Sequence, residues 1–390
     1  MLLSLCSSLL ITDDRQFGFK KGRGCTEALF LFRNTIEHFN SRGSTVFAAA
    51  LDISKAFDRV DHSKLFKSLA SAGLPACVLN VLTNWYAKLY AVVRWNGCLS
   101  NSFSIVSGVR QGSALSPSIF NVFINAMLLS IVASNRGCHL NRLHIGCIFY
   151  ADDVILLSAS VDSLQCMLNV CYAAGIELSL SFNARKCICI AFGPLASKVK
   201  KPLRLGSNVI SWSHSFKYLG VHFVSGRRLR VDVDPLKKSF FSACNCIISS
   251  SPRKDELMHL ALQESYVLPI LLYASPALYF TKTQVKELNA CWNSVYRKLF
   301  GFNRWESVKG CIFGLGRLDL KHLIIWRTVK FYKKLLVSTD LFLHTCFLFF
   351  AASKVIDISF DDMHIDISLP FYVLFDRMKQ NFSASISDAT

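Results

Sequence analysis

The 390-residue chain reads as an α+β protein. Three features of its sequence predict that class. FYADDVILLS sets two apolar, β-prone runs, Ile145 to Phe149 and Val154 to Leu157, about a short Tyr150-Ala151-Asp152-Asp153 turn, as in a buried hairpin. A second apolar run of strand length, Val46 to Leu51, ends at Asp52 and leads into SKAFDRVDHSKLFKSLASAG, whose apolar residues recur at helical spacing. Beyond Phe223, the spans 233–250, 255–280 and 282–300 carry helical periodicity.

The remaining elements follow in order. MLLSLCSSLLI resembles the apolar part of a signal peptide but lacks a basic leader and a small-residue cleavage site before Asp13 and Asp14, so it is expected to be a helix. DRQFGFKKGRG (14–24) is a basic loop in which Gly18, Gly22 and Gly24 permit close backbone approach to a ligand. Arg15, Lys20, Lys21 and Arg23 could clamp a triphosphate there, although a solvated turn is the commoner fate of such a run. A helix is expected near Leu74 to Leu89, followed by paired strands in YAVVRWNG and SFSIVSG. In Ser107 to Leu128, Gly108 and Gly112 flank Val109-Arg110-Gln111, and Pro117 marks a helix start with Ser116 as N-cap. A glycine turn feeding a helix N-terminus can lie against a base pair and a phosphate. A helix near Asp162 to Ala174 leads to the strand CICIAF, with Asn183 and Lys186 before it, and FKYLGVHF (216–223) alternates like a hairpin strand. The tail after about 340 is Phe-rich, with a polar end expected to fray.

Composition narrows the partner. A formal charge of +18 and a pI near 9.4 suit a polyanion such as nucleic acid. A membrane surface would satisfy the same charge, but apolar tracts such as Leu341 to Ala352 fall short of the roughly 18 to 20 residues a span needs. The 15 cysteines are scattered without a CxxC, which favours buried thiols in a reducing compartment over disulfides or zinc.

The acids carry the chemistry. Asp152 and Asp153 repel one another unless a cation neutralises them, and Mg²⁺ takes one or two carboxylates plus substrate phosphates. An ordinary Asp-Asp turn is an equal alternative for the pair alone. Asp52, at a strand end, can face the same groove, and three converging carboxylates could hold two divalent ions roughly 3.5 to 4 Å apart for in-line displacement at phosphorus. Its alternative is a helix N-cap, which Asp52 or Ser54 could supply.

Taken in order, QFGFKKGRG, FAAALDISKAFDRVDH, SGVRQGSALSPSIFNVFIN, FYADDVILLS, LSFNARKC and FKYLGVHF resemble the reverse transcriptase domain of non-LTR, LINE-type retrotransposons, over roughly Gln16 to Phe223. The resemblance implies a right-hand polymerase: fingers and palm over 1–223, entered partway through the fingers, a helical thumb over 224–340, and a tail over 341–390. It implies an RNA-directed DNA polymerase using an RNA template, a DNA primer or target and dNTPs, with no membrane and no identified protein partner. Asp52, Asp152 and Asp153, with the Ile53 carbonyl, would hold two Mg²⁺ ions, or Mn²⁺ in their place. Phe57 would be a steric gate against ribonucleotides, where viral RNA polymerases usually carry an acid; it could equally serve as a core residue of the helix after Asp52. Gln111 and Gly112 would meet the nucleotide or its templating base. Lys186 would protonate pyrophosphate as a general acid, and Arg15, Lys20 and Arg23 would contact the triphosphate or template. Tyr218, Leu219 and Gly220 would form the primer grip. Thumb cations in RRLRVDVDPLKK would track a duplex backbone, with Trp292, Tyr296 and Trp305 as stacking candidates. The endonuclease and the Cys/His knuckle of full-length elements have no counterpart here, so a fragment or truncated copy is expected. A degenerate, inactive copy and a nucleic-acid-binding module are the alternatives. Expected localisation is nuclear or cytoplasmic, and KVKKPLR (198–204) offers a possible import signal.

Overall fold

The computed structural model describes residues 10–198, 201–250, 255–356 and 369–387; the expected N-terminal helix and part of KVKKPLR lie outside them. Two compact units interleave along the chain: one holds 1–28, 42–214 and 225–228, the other 29–41, 215–224 and 229–390. A linear boundary at 223 therefore does not describe the packing.

The first unit contains β1 (Val46–Asp52), β2 (Tyr90–Ala91), β3 (Arg94–Trp95), β4 (Cys98–Leu99), β5 (Phe103–Ser104), β6 (His139–Leu140), β7 (Leu143–His144), β8 (Cys147–Tyr150), β9 (Asp153–Ser158), β10 (Ile188–Phe192), β11 (Leu203–Leu205) and β12 (Asn208–Trp212). Six of them form one sheet in the order β11-β12-β10-β1-β9-β8. β1 is antiparallel to both of its neighbours, so a single register places Ala49 beside Cys189 and Leu156, and Asp52 opposite Asp153. Helices Ser116–Ala133 and Val161–Glu177 supply Phe120, Phe123, Met127, Leu164 and Met167 to the core shared with this sheet.

Several expectations are corrected here. Ser54 to Arg59 is a turn, with Lys55 at φ 48°, and the helix begins only at His62. The reason lies in backbone partners outside a helix: Ser54 donates to the Ser181 carbonyl at 2.8 Å, and Val109 donates to that of Phe57 at 2.8 Å. Asp61 caps the helix through the Lys64 amide at 3.0 Å, which removes the capping role from Asp52 and Ser54. Ser116 is likewise inside its helix rather than at the cap; its hydroxyl donates to the Arg110 carbonyl at 2.6 Å. The span 255–280 is broken into Glu256–Tyr266, Leu268–Leu271 and a 3₁₀ turn Ser275–Ala277, with Pro269 and Pro276 at the starts of the last two.

Among the described residues, the helix Ser116–Ala133 and the broken helical run Glu256–Ala277 are long and apolar enough to cross a membrane by length and composition, contrary to the expectation that every apolar tract is too short. In Ser116–Ala133 the apolar character serves burial, with Ile119, Phe120, Phe123, Ile124, Met127 and Ile131 all inside.

In the second unit, β13 (Ser215–Tyr218), β14 (Val221–Val224) and β15 (Arg230–Asp232) form a sheet. Phe32 covers it at 5.1 Å from Phe223 and 5.5 Å from Tyr218. The helical periodicity expected over 233–250, 255–280 and 282–300 is matched by helices Asp234–Ser250, Glu256–Tyr266 and Lys282–Phe300. Trp292 and Tyr296 are 1% and 0% exposed, so they are core rather than stacking surfaces, whereas Trp305 is exposed beside Arg304. The described part of the polar end, 381–387, is helical rather than frayed: Phe371–Ser387 forms a helix because Leu374, Met378 and Phe382, spaced four apart, are fully buried, and 388–390 lie outside the described residues.

Candidate active site

The hairpin turn is built to hold its acids in one place. β8 and β9 pair as far as Tyr150 opposite Asp153, leaving Ala151 and Asp152 as a two-residue turn with Ala151 in the left-handed region at φ 56°. Gln16 secures that turn. It bridges in parallel to Phe149, is 1% exposed, and its Oε1 accepts from the amides of Ala151 and Gly18, each at 3.0 Å. Asn121, from the buried helix, donates to the Gly18 carbonyl at 2.7 Å. Gly18 has no room for a side chain, since a Cβ would lie 2.6 Å from the Ala151 nitrogen. Gln16 and Asn121 were not singled out by sequence reasoning. Asn121 is an isolated polar residue in an apolar helix and Gln16 one polar residue in a charged loop, and only the pairing of QFG with the hairpin reveals their use.

Opposite residues of an antiparallel pair share a face, so the register puts Asp52 and Asp153 side by side, with Asp152 next in the turn. Desolvation, then the charges of Asp152 and Asp52, push Asp153 up to about 6. Asp153 is nevertheless exposed, so water screens part of that repulsion and a solvent cation can reach it. Asp152 is also raised, by desolvation and by the charge of Asp52. The Asp52 amide donates to the Cys187 thiol at 3.3 Å, and the Asp52 carbonyl accepts from Asn183 at 2.9 Å. Ile53 is buried and bridges to Phe182, which fixes the backbone after Asp52. Lys186 is exposed in the same loop that reaches Asp52.

Among the described residues, no three His, Cys, Asp or Glu side chains form a ready-made metal cluster. The donor set is hard oxygen, and the mutual repulsion is what a divalent cation relieves. Such a set suits an ion that arrives with phosphate oxygens as its remaining ligands.

Phe57 leaves the turn after Asp52 and stacks on Phe120, centroids 4.2 Å apart and planes 18° off parallel. The strand-end loop and the glycine loop are joined there. Gly108 donates to the Val60 carbonyl at 2.8 Å, and Gln111 Nε2 donates to Asp58 Oδ1 at 2.9 Å. A Cβ on Gly108 would meet the Asp58 carbonyl oxygen at 2.8 Å, and Gly112, at φ 84°, faces open space. A cleft of about 400 Å³ opens beside these residues, lined by Asp58, Leu89, Ile105, Gly108 and Gln111.

The basic loop is engaged internally. Arg15 pairs with Asp13 at 2.8 Å and donates to the His144 carbonyl at 2.8 Å. Lys20 donates to the carbonyls of Thr12 and Asp13 at 2.8 and 2.6 Å, and Arg23 pairs with Asp14 at 2.8 Å. Lys20 and Arg23 thus close the loop on itself, and Arg15 also ties it to β7.

In the second unit, Tyr218, Leu219 and Gly220 form a tight turn between β13 and β14, with Leu219 and Gly220 at φ 43° and 81°. Tyr218 is buried on Phe32, and Tyr273 Oη donates to the Leu219 carbonyl at 2.8 Å. Of the basic run nearby, Lys237 bridges Asp234 and Glu287 at 2.7 and 2.9 Å.

Residues 3–223 match the family described as "Reverse transcriptase (RNA-dependent DNA polymerase)". The chain is 26% identical over 238 residues to the Pol polyprotein of the retrotransposable element R2DM of Drosophila melanogaster, covering 59% of this chain and 22% of that protein. To the RNA-directed DNA polymerase of the mobile element jockey of Drosophila funebris it is 25% identical, over 73% of this chain and 32% of that protein. It therefore spans about a fifth to a third of these relatives. Apo telomerase from Candida tropicalis is a structural neighbour at 12% identity and TM-score 0.42, covering 89% of this chain and 59% of that one. A match running from the basic loop through the two acidic strand ends to the hairpin of the second unit makes this chain a member of the reverse transcriptase family.

Proposed function

We propose that the chain extends a DNA primer on an RNA template with dNTPs. The observation that carries this is the register of Asp52 opposite Asp153, with Asp152 in the adjoining turn. In this reading Asp52 and Asp152 are the principal ligands of two Mg²⁺ ions, with Mn²⁺ as substitute, and Asp153 and the Ile53 carbonyl complete the set. The ions supply neutralisation of phosphate charge. The primer 3′-hydroxyl gives up its proton to solvent as its oxygen forms a bond to the α-phosphorus, the bond from that phosphorus to the bridging oxygen breaks, and pyrophosphate leaves. Lys186 delivers a proton to it.

Phe57, held flat against Phe120, limits space at the sugar 2′ position, while Gln111 and Gly112 face the base pair. Arg15, Lys20 and Arg23 act by fixing the loop that braces the turn; a phosphate would have to compete with Asp13 and Asp14 for Arg15 and Arg23. Tyr218, Leu219 and Gly220 brace the primer end. The site of action is the nucleus, after assembly in the cytoplasm.

Extension of oligo(dT) on poly(rA) with Mg²⁺, comparing the chain with Asp152→Ala, tests this. Extension that survives the substitution overturns the site. Retained binding without extension in the unsubstituted chain favours a binding module or inactive copy.

A further inference from the structure

Residues 89–105 form a two-stranded ribbon that nothing in the proposed chemistry uses. β2 pairs with β5, β3 pairs with β4, and Asn96 and Gly97, at φ 46° and 83°, make the tight turn at its tip. Ile105 donates to the Leu89 carbonyl at 2.9 Å, which closes its root. The ribbon is apolar and exposed: Trp95 is 82% accessible, Tyr90 65% and Phe103 49%, and Val92, Val93 and Leu99 are exposed as well. A ribbon of two strands is marginal alone in water, and so many bare apolar side chains on it mark a binding surface.

Its charge and its position select the occupant. No Asp or Glu occurs between Asp61 and Asp152, whereas Lys88, Arg94 and Arg110 lie on or beside the ribbon. Aromatic rings interleaved with cations and free of carboxylates fit a polyanion that carries flat rings of its own. Leu89 and Ile105, at the root, line the cleft of about 400 Å³ that also holds Gln111. The one acid at that cleft, Asp58, is hydrogen-bonded to Gln111.

We propose that this ribbon is a stacking surface for single-stranded nucleic acid, namely the unpaired template ahead of the nucleotide site. Trp95 stacks on a base near the tip, Tyr90 and Phe103 take bases nearer the root, and Arg94 and Lys88 meet the phosphates. The role of that strand as template rests on the polymerase reading above; its binding does not.

The test uses the full chain and fluorescence anisotropy on two template–primer hairpins, one blunt and one with about 10 unpaired template nucleotides. Tighter binding of the overhang is expected, with roughly a 10-fold loss on the overhang alone in Trp95→Ala and recovery in Trp95→Tyr. Equal affinity for the two hairpins, or equal loss on both in Trp95→Ala, overturns the proposal. A dimer in sedimentation that Trp95→Ala dissociates, with overhang binding intact, assigns the ribbon to a second copy and also overturns it. Thermal melting of Trp95→Ala should match the parent, since the side chain lies in solvent. If the overhang is preferred but no primer is extended, the polymerase reading fails and the stacking surface stands.

Discussion

Replacing Gln16 by Met removes the clamp on the Ala151-Asp152 turn while keeping the length and buried shape of the side chain. Only the carbonyl oxygen does the clamping: Oε1 accepts two amides at 3.0 Å, whereas Nε2 is buried without a partner. The substitution therefore strands the Gly18 and Ala151 amides, at about 1–3 kcal/mol each. Partial relaxation of the turn brings the expected loss to about 2–4 kcal/mol, which for a unit of this size lowers the melting temperature by roughly 5–15 °C. Urea unfolding followed by tryptophan fluorescence measures it. Primer extension should fall more than primer binding, because Ala151 directly precedes Asp152. A change in stability below about 0.5 kcal/mol, with extension unaltered, would refute the claim that Gln16 holds the turn.

Three further outcomes follow from the same geometry. Asp153 has a folded pKa raised to about 6, above its unfolded value near 3.9, so its favourable contribution is complete below about pH 4 and lost as pH rises through 6. In metal-free buffer Asp153→Asn should therefore melt with the parent at pH 4 and above it at pH 7, by about 1 kcal/mol after solvent screening, and Mg²⁺ should narrow the gap; a gap that does not vary with pH contradicts the shift. Phe57→Ala should relax discrimination against rNTPs by roughly 10- to 100-fold in single-nucleotide incorporation, and unchanged discrimination removes the gate. Gly108→Ala places a Cβ 2.8 Å from the Asp58 carbonyl oxygen at φ 90°, so a loss of about 1–3 kcal/mol and a raised KM for dNTP are expected, whereas parent-like melting and kinetics contradict the contact.

The local patterns were legible in the sequence and the cross-chain partners were not. The hairpin around Asp152 and Asp153 and the strand ending at Asp52 announce themselves through short apolar runs bounded by acids, and the structure sets them in one register. Helical spacing after Asp52 misled, because Ser54 and Phe57 give their backbone groups to Ser181 and Val109, which no periodicity can report. In the basic loop the Asp13 partner of Arg15 is two positions away and so visible in sequence, whereas Arg23 reaches Asp14, nine positions back, only once the loop turns on itself. The tail carried a usable signal in Leu374, Met378 and Phe382, and the polar residues between them obscured it. Gln16 shows the limit most clearly, since its value depends on an amide 135 positions away.

In the proposed reaction Asp52 and Asp152 form one metal-dependent catalytic centre. The most direct measurement is single-turnover extension of a DNA primer on an RNA template by the parent, Asp52→Asn and Asp152→Asn, with template–primer affinity measured alongside. Mg²⁺-dependent extension by the parent is expected, with a loss of at least roughly 1,000-fold in either variant and affinities within about threefold of one another. Extension that persists in either variant, or proceeds equally in EDTA, would contradict it.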